Sequence, residues 1–92
     1  DFDETNRTLF AFAAYNAGPG RIARLRKEAE REGLDPDQWF NNVELIAAKR
    51  VGQETVGYVR NIFKYYVAYK LQLETLATRR SLLQQGGMPG MK

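Results

Sequence analysis

Ninety-two residues, 43% of them hydrophobic and 27% charged, set the scale of one small domain or of a part of a larger one. The chain has neither cysteine nor histidine, which excludes disulfides, the usual zinc sites and Ser-His or Cys-His nucleophiles, so any catalysis has to rest on carboxylates, tyrosines or lysines. A net charge of +3 with a pI near 9.4 suits an acidic polymer, an anionic lipid surface or nucleic acid and does not choose among them.

From Thr5 to Ala17 good helix formers dominate, and Asn16, Ala17 and Gly18 followed by Pro19 supply a stop, which predicts a first helix. Leu9, Phe10, Phe12, Ala13, Ala14 and Tyr15 put apolar side chains on every side of a 3.6-residue period, the pattern of a helix enclosed by protein. The remaining residues are too few to enclose it, so partner structure is expected to be missing. A second helix is expected from Pro19, well suited to a first turn, to Gly33, with Ile22, Leu25 and Ala29 facing inward. Its Arg21, Arg24, Arg26, Lys27 and Arg31 are interleaved with Glu28, Glu30 and Glu32, which reads as a solvated, salt-bridged surface.

Asp35-Pro36-Asp37 has turn chemistry, and Trp39 and Phe40 after it are expected to plug the edge of the core. Asn42 is placed to cap a short helix from Val43 to Arg50, closed by Gly52. From Gln53 on, Val56, Val59, Ile62, Phe63, Tyr66, Tyr69, Leu73 and Leu76 recur at spacings of three and four, which predicts a long last helix. Its end, TRRSLLQQ, turns progressively solvated. The helical part is expected to fill residues 1–85 and GGMPGMK, 86–92, to be a disordered tail. With no strand alternation and no internal repeat, the fold class is all-α, about four helices.

No apolar run reaches the roughly 18 to 20 residues that span a bilayer, and the start DFDETNR is unlike a signal peptide. The opening on Asp1 without a Met leads to the expectation of a piece of a longer polypeptide, with any targeting sequence upstream.

Two stretches stand out as sites. Ala14-Tyr15-Asn16-Ala17-Gly18-Pro19-Gly20 ends a helix in a turn of small residues, where an extended ligand can approach and Asn16 offers both donor and acceptor. On pattern alone, a helix cap and tight turn is the plainer account. In Gly52 to Val59, Glu54 and Tyr58 lie one helical turn apart, so the phenol can orient a carboxylate or share its proton. A first-turn Glu on the helix dipole and a Tyr buried by its ring is the plainer account. Tyr65, Tyr66 and Tyr69 suit stacking on sugar rings, or simply core and interface.

AFAAYNAGPGRI, WFNNVE and VGQETVGYVRNIFKYYVAYK, in that order and spacing, make the stretch from about Asn6 to Leu71 similar to the later half of the catalytic domain of lytic transglycosylases, a goose-type-lysozyme-like family. The resemblance implies cleavage of the bond between N-acetylmuramic acid and N-acetylglucosamine in peptidoglycan. One glutamic acid acts first as acid and then as base, while the muramyl sugar's own hydroxyl closes an anhydro ring. It implies no metal and no cofactor, glycan strands as the partner, and a place in the periplasm or at the outer membrane. Carried over by position, Tyr15 and Tyr58 support the catalytic carboxylate, and Tyr15, Asn16, Gly18, Glu54 and Tyr58 form the substrate side, Glu54 bracing the Tyr58 helix. The family's Glu-Ser pair and Gly-Leu-Met-Gln element occur nowhere in the 92 residues, so the acid is expected upstream and the chain alone is expected to be inactive.

Two other readings stay open. A non-catalytic helical module would hold glycan or another protein through the Tyr15 to Gly20 turn. Nucleic-acid binding ranks last, because mixed signs on the basic helix weaken phosphate attraction. The incomplete core also predicts that the isolated chain either self-associates through the Leu9 to Tyr15 face or remains loosely packed.

Overall fold

The computed structural model describes residues 3–85. The sequence folds into α1 (Glu4–Ala17), α2 (Pro19–Arg31), α3 (Glu44–Arg50) and α4 (Gln53–Gln84), with no strand among the described residues. The all-α expectation therefore holds, while the disordered tail expected for 86–92 lies outside the described residues.

α1 begins one residue before its helix formers suggest because Asp3 caps it: the Asp3 carboxylate accepts the Asn6 backbone N–H at 2.8 Å. That bond, and a second from the Asn6 side chain, hold the Asp3 carboxyl below its usual range. Asn6 itself is buried and ties three pieces together. Its Nδ2 donates to Asp3 at 3.0 Å and to Gln38 Oε1 at 3.2 Å, and its Oδ1 accepts the Trp39 backbone N–H at 2.8 Å. Replacing Asn6 by alanine leaves the buried Trp39 N–H without an acceptor, which costs about 1–3 kcal/mol. Urea unfolding should show a lower midpoint at unchanged slope, and an unmoved midpoint would remove Asn6 from the list of stabilising contacts.

Trp39 is the centre of the core and not its edge. It has no exposed surface and belongs to one buried cluster with Leu9, Phe10 and Ala13 of α1, Ile22, Leu25 and Ala29 of α2, Ile46 and Ala47 of α3, and Val56 and Val59 of α4. The Phe10 ring meets it edge-on at 5.7 Å, the arrangement favoured by aromatic quadrupoles. Phe40 goes the other way, 37% exposed and lying edge-on against Phe63 at 5.7 Å. The reason is local: Trp39–Val43 is a wide turn in which Phe40 is extended and Asn41 is left-handed at φ 62°, so neighbouring side chains part to opposite sides.

The cap expected from Asn42 is also corrected. Asn42 Oδ1 accepts the Asp35 N–H at 2.9 Å across the loop, and its Nδ2 donates to the Phe40 carbonyl at 3.1 Å. No side chain caps α3, whose N-cap position is Val43; the buried Glu44 ties the preceding turn to α4, with Oε1 accepting the Asn41 N–H at 3.1 Å and Oε2 accepting from Arg60 at 3.1 Å. That leaves α3 one residue shorter than predicted, starting at Glu44.

α4 runs for 32 residues, about 48 Å at 1.5 Å per residue. Burial is confined to its beginning, where Thr55, Val56 and Val59 enter the core. Beyond Tyr66 every described residue is exposed, including Leu71, Leu73 and Leu76. The molecule consequently measures 62 × 25 × 19 Å, with a radius of gyration of 18.5 Å against the roughly 12 Å of a compact chain of this length. Periodicity identified the helix correctly but placed the second half of its stripe against a core that these residues do not supply.

α1 is similarly half covered. Leu9, Phe10 and Ala13 are buried against α2 and α4, whereas Ala11 and Tyr15 are exposed, Tyr15 by 85%. Leu9, expected on an open self-association face, is 1% exposed and belongs to the core; the uncovered edge is formed by Ala11 and Tyr15.

Ion pairs tie α2 to its neighbours. Arg50 donates to Glu28 by Nε at 3.1 and 2.9 Å and by a terminal nitrogen at 2.7 Å, Lys49 reaches Glu32 at 3.3 Å, and Arg26 joins Asp37 at 2.6 Å. The hydrogen bonds from Arg50 hold the Glu28 carboxyl below the ordinary 4.5 and raise the Arg50 guanidinium in turn. A carboxyl lowered in the folded state stabilises the fold fully above its unfolded value, and that contribution is lost as pH falls through the folded one. Glu28→Gln should therefore flatten the loss of stability below pH 4.5, seen as a smaller change in melting temperature between neutral and acid buffer. Parallel acid profiles for variant and parent would rule the pair out as a contributor.

Candidate functional site

A single glycine joins the first two helices. Gly18 has φ 100° and ψ 136°, a backbone conformation that side chains strain. Its N–H bonds the Ala14 carbonyl at 2.8 Å and its own carbonyl accepts from Ile22 at 3.1 Å, so one residue closes α1 and opens α2. A Cβ built there would meet nothing within 4 Å. Backbone conformation, not crowding, calls for glycine, and the space beside it is open. Gly52, at φ 117°, makes the equivalent sharp entry into α4.

These two turns bring the sequence-selected stretches to one edge. The Thr55 hydroxyl donates to Asn16 Oδ1 at 2.7 Å, linking the last turn of α1 to the first turn of α4 across 39 positions of sequence. Asn16 is exposed, and with its oxygen engaged, its Nδ2 remains the donor available to a ligand. Tyr15 stands beside it as an exposed ring, while Gly18 is half-buried at the corner. On α4, Glu54 is exposed and Tyr58 is half-buried with its ring against the core. Among the described residues no hydrogen bond joins Glu54 to Tyr58, so the phenol and carboxylate share a helix face without sharing a proton in this structure.

Thr55 is the residue that sequence reasoning missed. Its signal was present: it lies four positions before Val59, on the inward face of α4, and a hydroxyl buried to 3% exposure needs a partner. The tyrosine stripe, by contrast, divides. Tyr66 packs edge-on to Phe12 at 6.0 Å and stacks on Phe63 at 6.1 Å, a structural role, while Tyr65 and Tyr69 face solvent on α4. Among the described residues no group of carboxylates is placed to hold a metal ion.

The chain is 39% identical, over 70% of its length, to the membrane-bound lytic murein transglycosylase F of Stutzerimonas stutzeri (strain A1501), and 40% identical over 68% to that of Ectopseudomonas mendocina (strain ymp). It is 41% identical over 68% to the protein of the same name from Marinobacter nauticus (strain ATCC 700491 / DSM 11845 / VT8). This chain resembles a segment of lytic murein transglycosylase F. The resemblance drawn from the tyrosine-asparagine turn and the Glu-Thr-x-x-Tyr-Val helix start is thus borne out by proteins of that name. The chain spans only 15–16% of the length of these relatives. No family model and no solved structure matches the chain. The relatives are named as membrane-bound, and among the described residues no helix is long and apolar enough to cross a membrane.

Proposed function

We propose that this chain forms one wall of the glycan groove of a peptidoglycan lytic transglycosylase, acting in the cell envelope, and that polypeptide outside the 92 residues supplies the acid. The observation that carries the reading is the Thr55 to Asn16 hydrogen bond, which sets the two family-like stretches side by side. In this wall Asn16 Nδ2 donates to an acetamido or hydroxyl oxygen of the sugar, and the Tyr15 ring offers a flat apolar face to a pyranose. Tyr58, fixed by the core behind it, holds its hydroxyl toward the catalytic carboxylate. Gly18 keeps the corner free of side chain so the strand can lie close. Glu54, solvated and in the first turn of α4, braces that helix through its dipole.

The polypeptide bearing the acid packs on the open edge of α1, along Ala11 and toward Tyr15, which these residues leave uncovered. Muropeptide analysis tests the division of labour. The 92-residue chain should release no anhydro-muropeptides from purified peptidoglycan, and release should appear when the acid-bearing segment is joined to it. Turnover by the chain alone would show that a carboxylate within it does the chemistry. A second reading, a non-catalytic helical module holding glycan, is favoured by the absence of a Glu-Ser pair; it predicts glycan binding with no turnover even in the joined form.

A further inference from the structure

The basic side of α2 is not neutralised from within the helix, as its interleaved sequence suggests. Glu28 is engaged by Arg50 and Glu32 by Lys49, both on α3, while Arg26 turns to the Pro36 carbonyl and Asp37. Among the described residues Arg21, Arg24, Lys27 and Arg31 make no ion pair, and all four are exposed. Together with Arg50 they border a groove of about 410 Å³ floored by Leu25. Five cations face one carboxylate in this lining, and that carboxylate, Glu28, already carries three hydrogen bonds from Arg50. A concave surface with unpaired guanidinium groups over an apolar floor concentrates positive potential where an anion can enter.

The groove also has a direction. Arg21 lies three positions after Gly18, and Val51, which also lines the groove, three positions before Glu54, so the groove and the glycan wall are built from adjoining segments of the chain. From Arg21 to Arg31 the cations extend along α2 for about 15 Å at 1.5 Å per residue, the reach of about four or five extended residues of peptide. We propose that this groove takes the anionic peptide branches carried by the glycan strand, their carboxylates paired with Arg21, Arg24, Lys27 and Arg31 and their aliphatic parts resting on Leu25. The inference rests on the glycan-wall reading and adds the branch as a second recognised part of the same polymer.

Retention on purified sacculi, with peptides intact or removed by an amidase, tests both layers separately. The parent chain should be retained about tenfold better on intact than on trimmed sacculi at low salt, and the advantage should fade as salt rises. Arg24→Glu/Lys27→Glu should bind both materials equally, at the level of the parent on trimmed sacculi, with helicity checked by circular dichroism. The neutral pair Arg24→Gln/Lys27→Gln should fall between, which covers the case of a charge-reversed variant that misfolds. Equal retention of the parent on both materials, or an unchanged preference in the variants, overturns the peptide-branch site and leaves the glycan wall standing. Failure to bind either material removes the glycan reading and this inference with it. Stronger retention on phosphatidylglycerol vesicles than on intact sacculi would assign the groove to a lipid surface instead.

Discussion

Replacing Trp39 by alanine is expected to cost about 3–5 kcal/mol, the largest loss available from a single side chain in this protein. Trp39 is the bulkiest of the fully buried residues, and it shares one buried cluster with side chains from all four helices. A domain of this size has only about 5–14 kcal/mol of stability in total, so the variant should melt more than about 10 °C below the parent. Trp39→Phe should be far milder. It keeps an aromatic ring against Phe10 and removes an indole N–H that is buried without a hydrogen-bond partner among the described residues. Thermal unfolding followed by circular dichroism separates the two. If alanine at position 39 leaves the melting temperature within a few degrees of the parent, the core is not organised around this ring.

The second large effect is expected at Asn16, whose oxygen serves the fold and whose nitrogen serves the ligand in the proposed glycan wall. Asn16→Ala removes both. The buried Thr55 hydroxyl loses its acceptor, at about 1–3 kcal/mol, and the glycan loses a donor, worth about tenfold in affinity. Asn16→Asp divides the roles, because a carboxylate still accepts from Thr55 but cannot donate to a sugar oxygen. Near-parental stability with lost glycan affinity is the expected outcome, measured by thermal unfolding and by titration with an N-acetylated glycan oligomer. Thr55→Val should show the complement, with reduced stability and a smaller loss of affinity. An aspartate variant that binds as the parent does would relieve Asn16 of its ligand role.

Much of this architecture was legible in the residues. Four helices follow from apolar spacing and from the glycines and prolines that interrupt it, and the Gly18-Pro19 stop lies where α1 gives way to α2. What spacing could not convey is which partner a face meets. The α4 stripe continues through Leu73 and Leu76 with unbroken period, yet only Thr55, Val56 and Val59 are fully buried, with Tyr58 and Phe63 packed partly buried against the core. Periodicity encodes amphipathy, and burial depends on what lies opposite. The same limit explains the basic helix, whose alternating charges looked self-neutralising until α3 engaged Glu28 and Glu32. The reversal of Trp39 and Phe40 has another cause. A left-handed Asn41 in a wide turn is a backbone event that composition does not announce. At the candidate site, Tyr15, Asn16, Gly18, Glu54 and Tyr58 were identifiable from two short stretches, but the bond that unites them needed Thr55, a small hydroxyl hidden on an apolar face.

The most direct test of the glycan wall is a residue-resolved NMR titration of this chain with an N-acetylated glycan oligomer. The largest amide shifts are expected at Tyr15, Asn16, Gly18, Thr55 and Tyr58, clustered at the junction of α1 with the start of α4. Saturable binding that leaves these residues undisturbed and moves only the exposed second half of α4, or no binding at all, would contradict it.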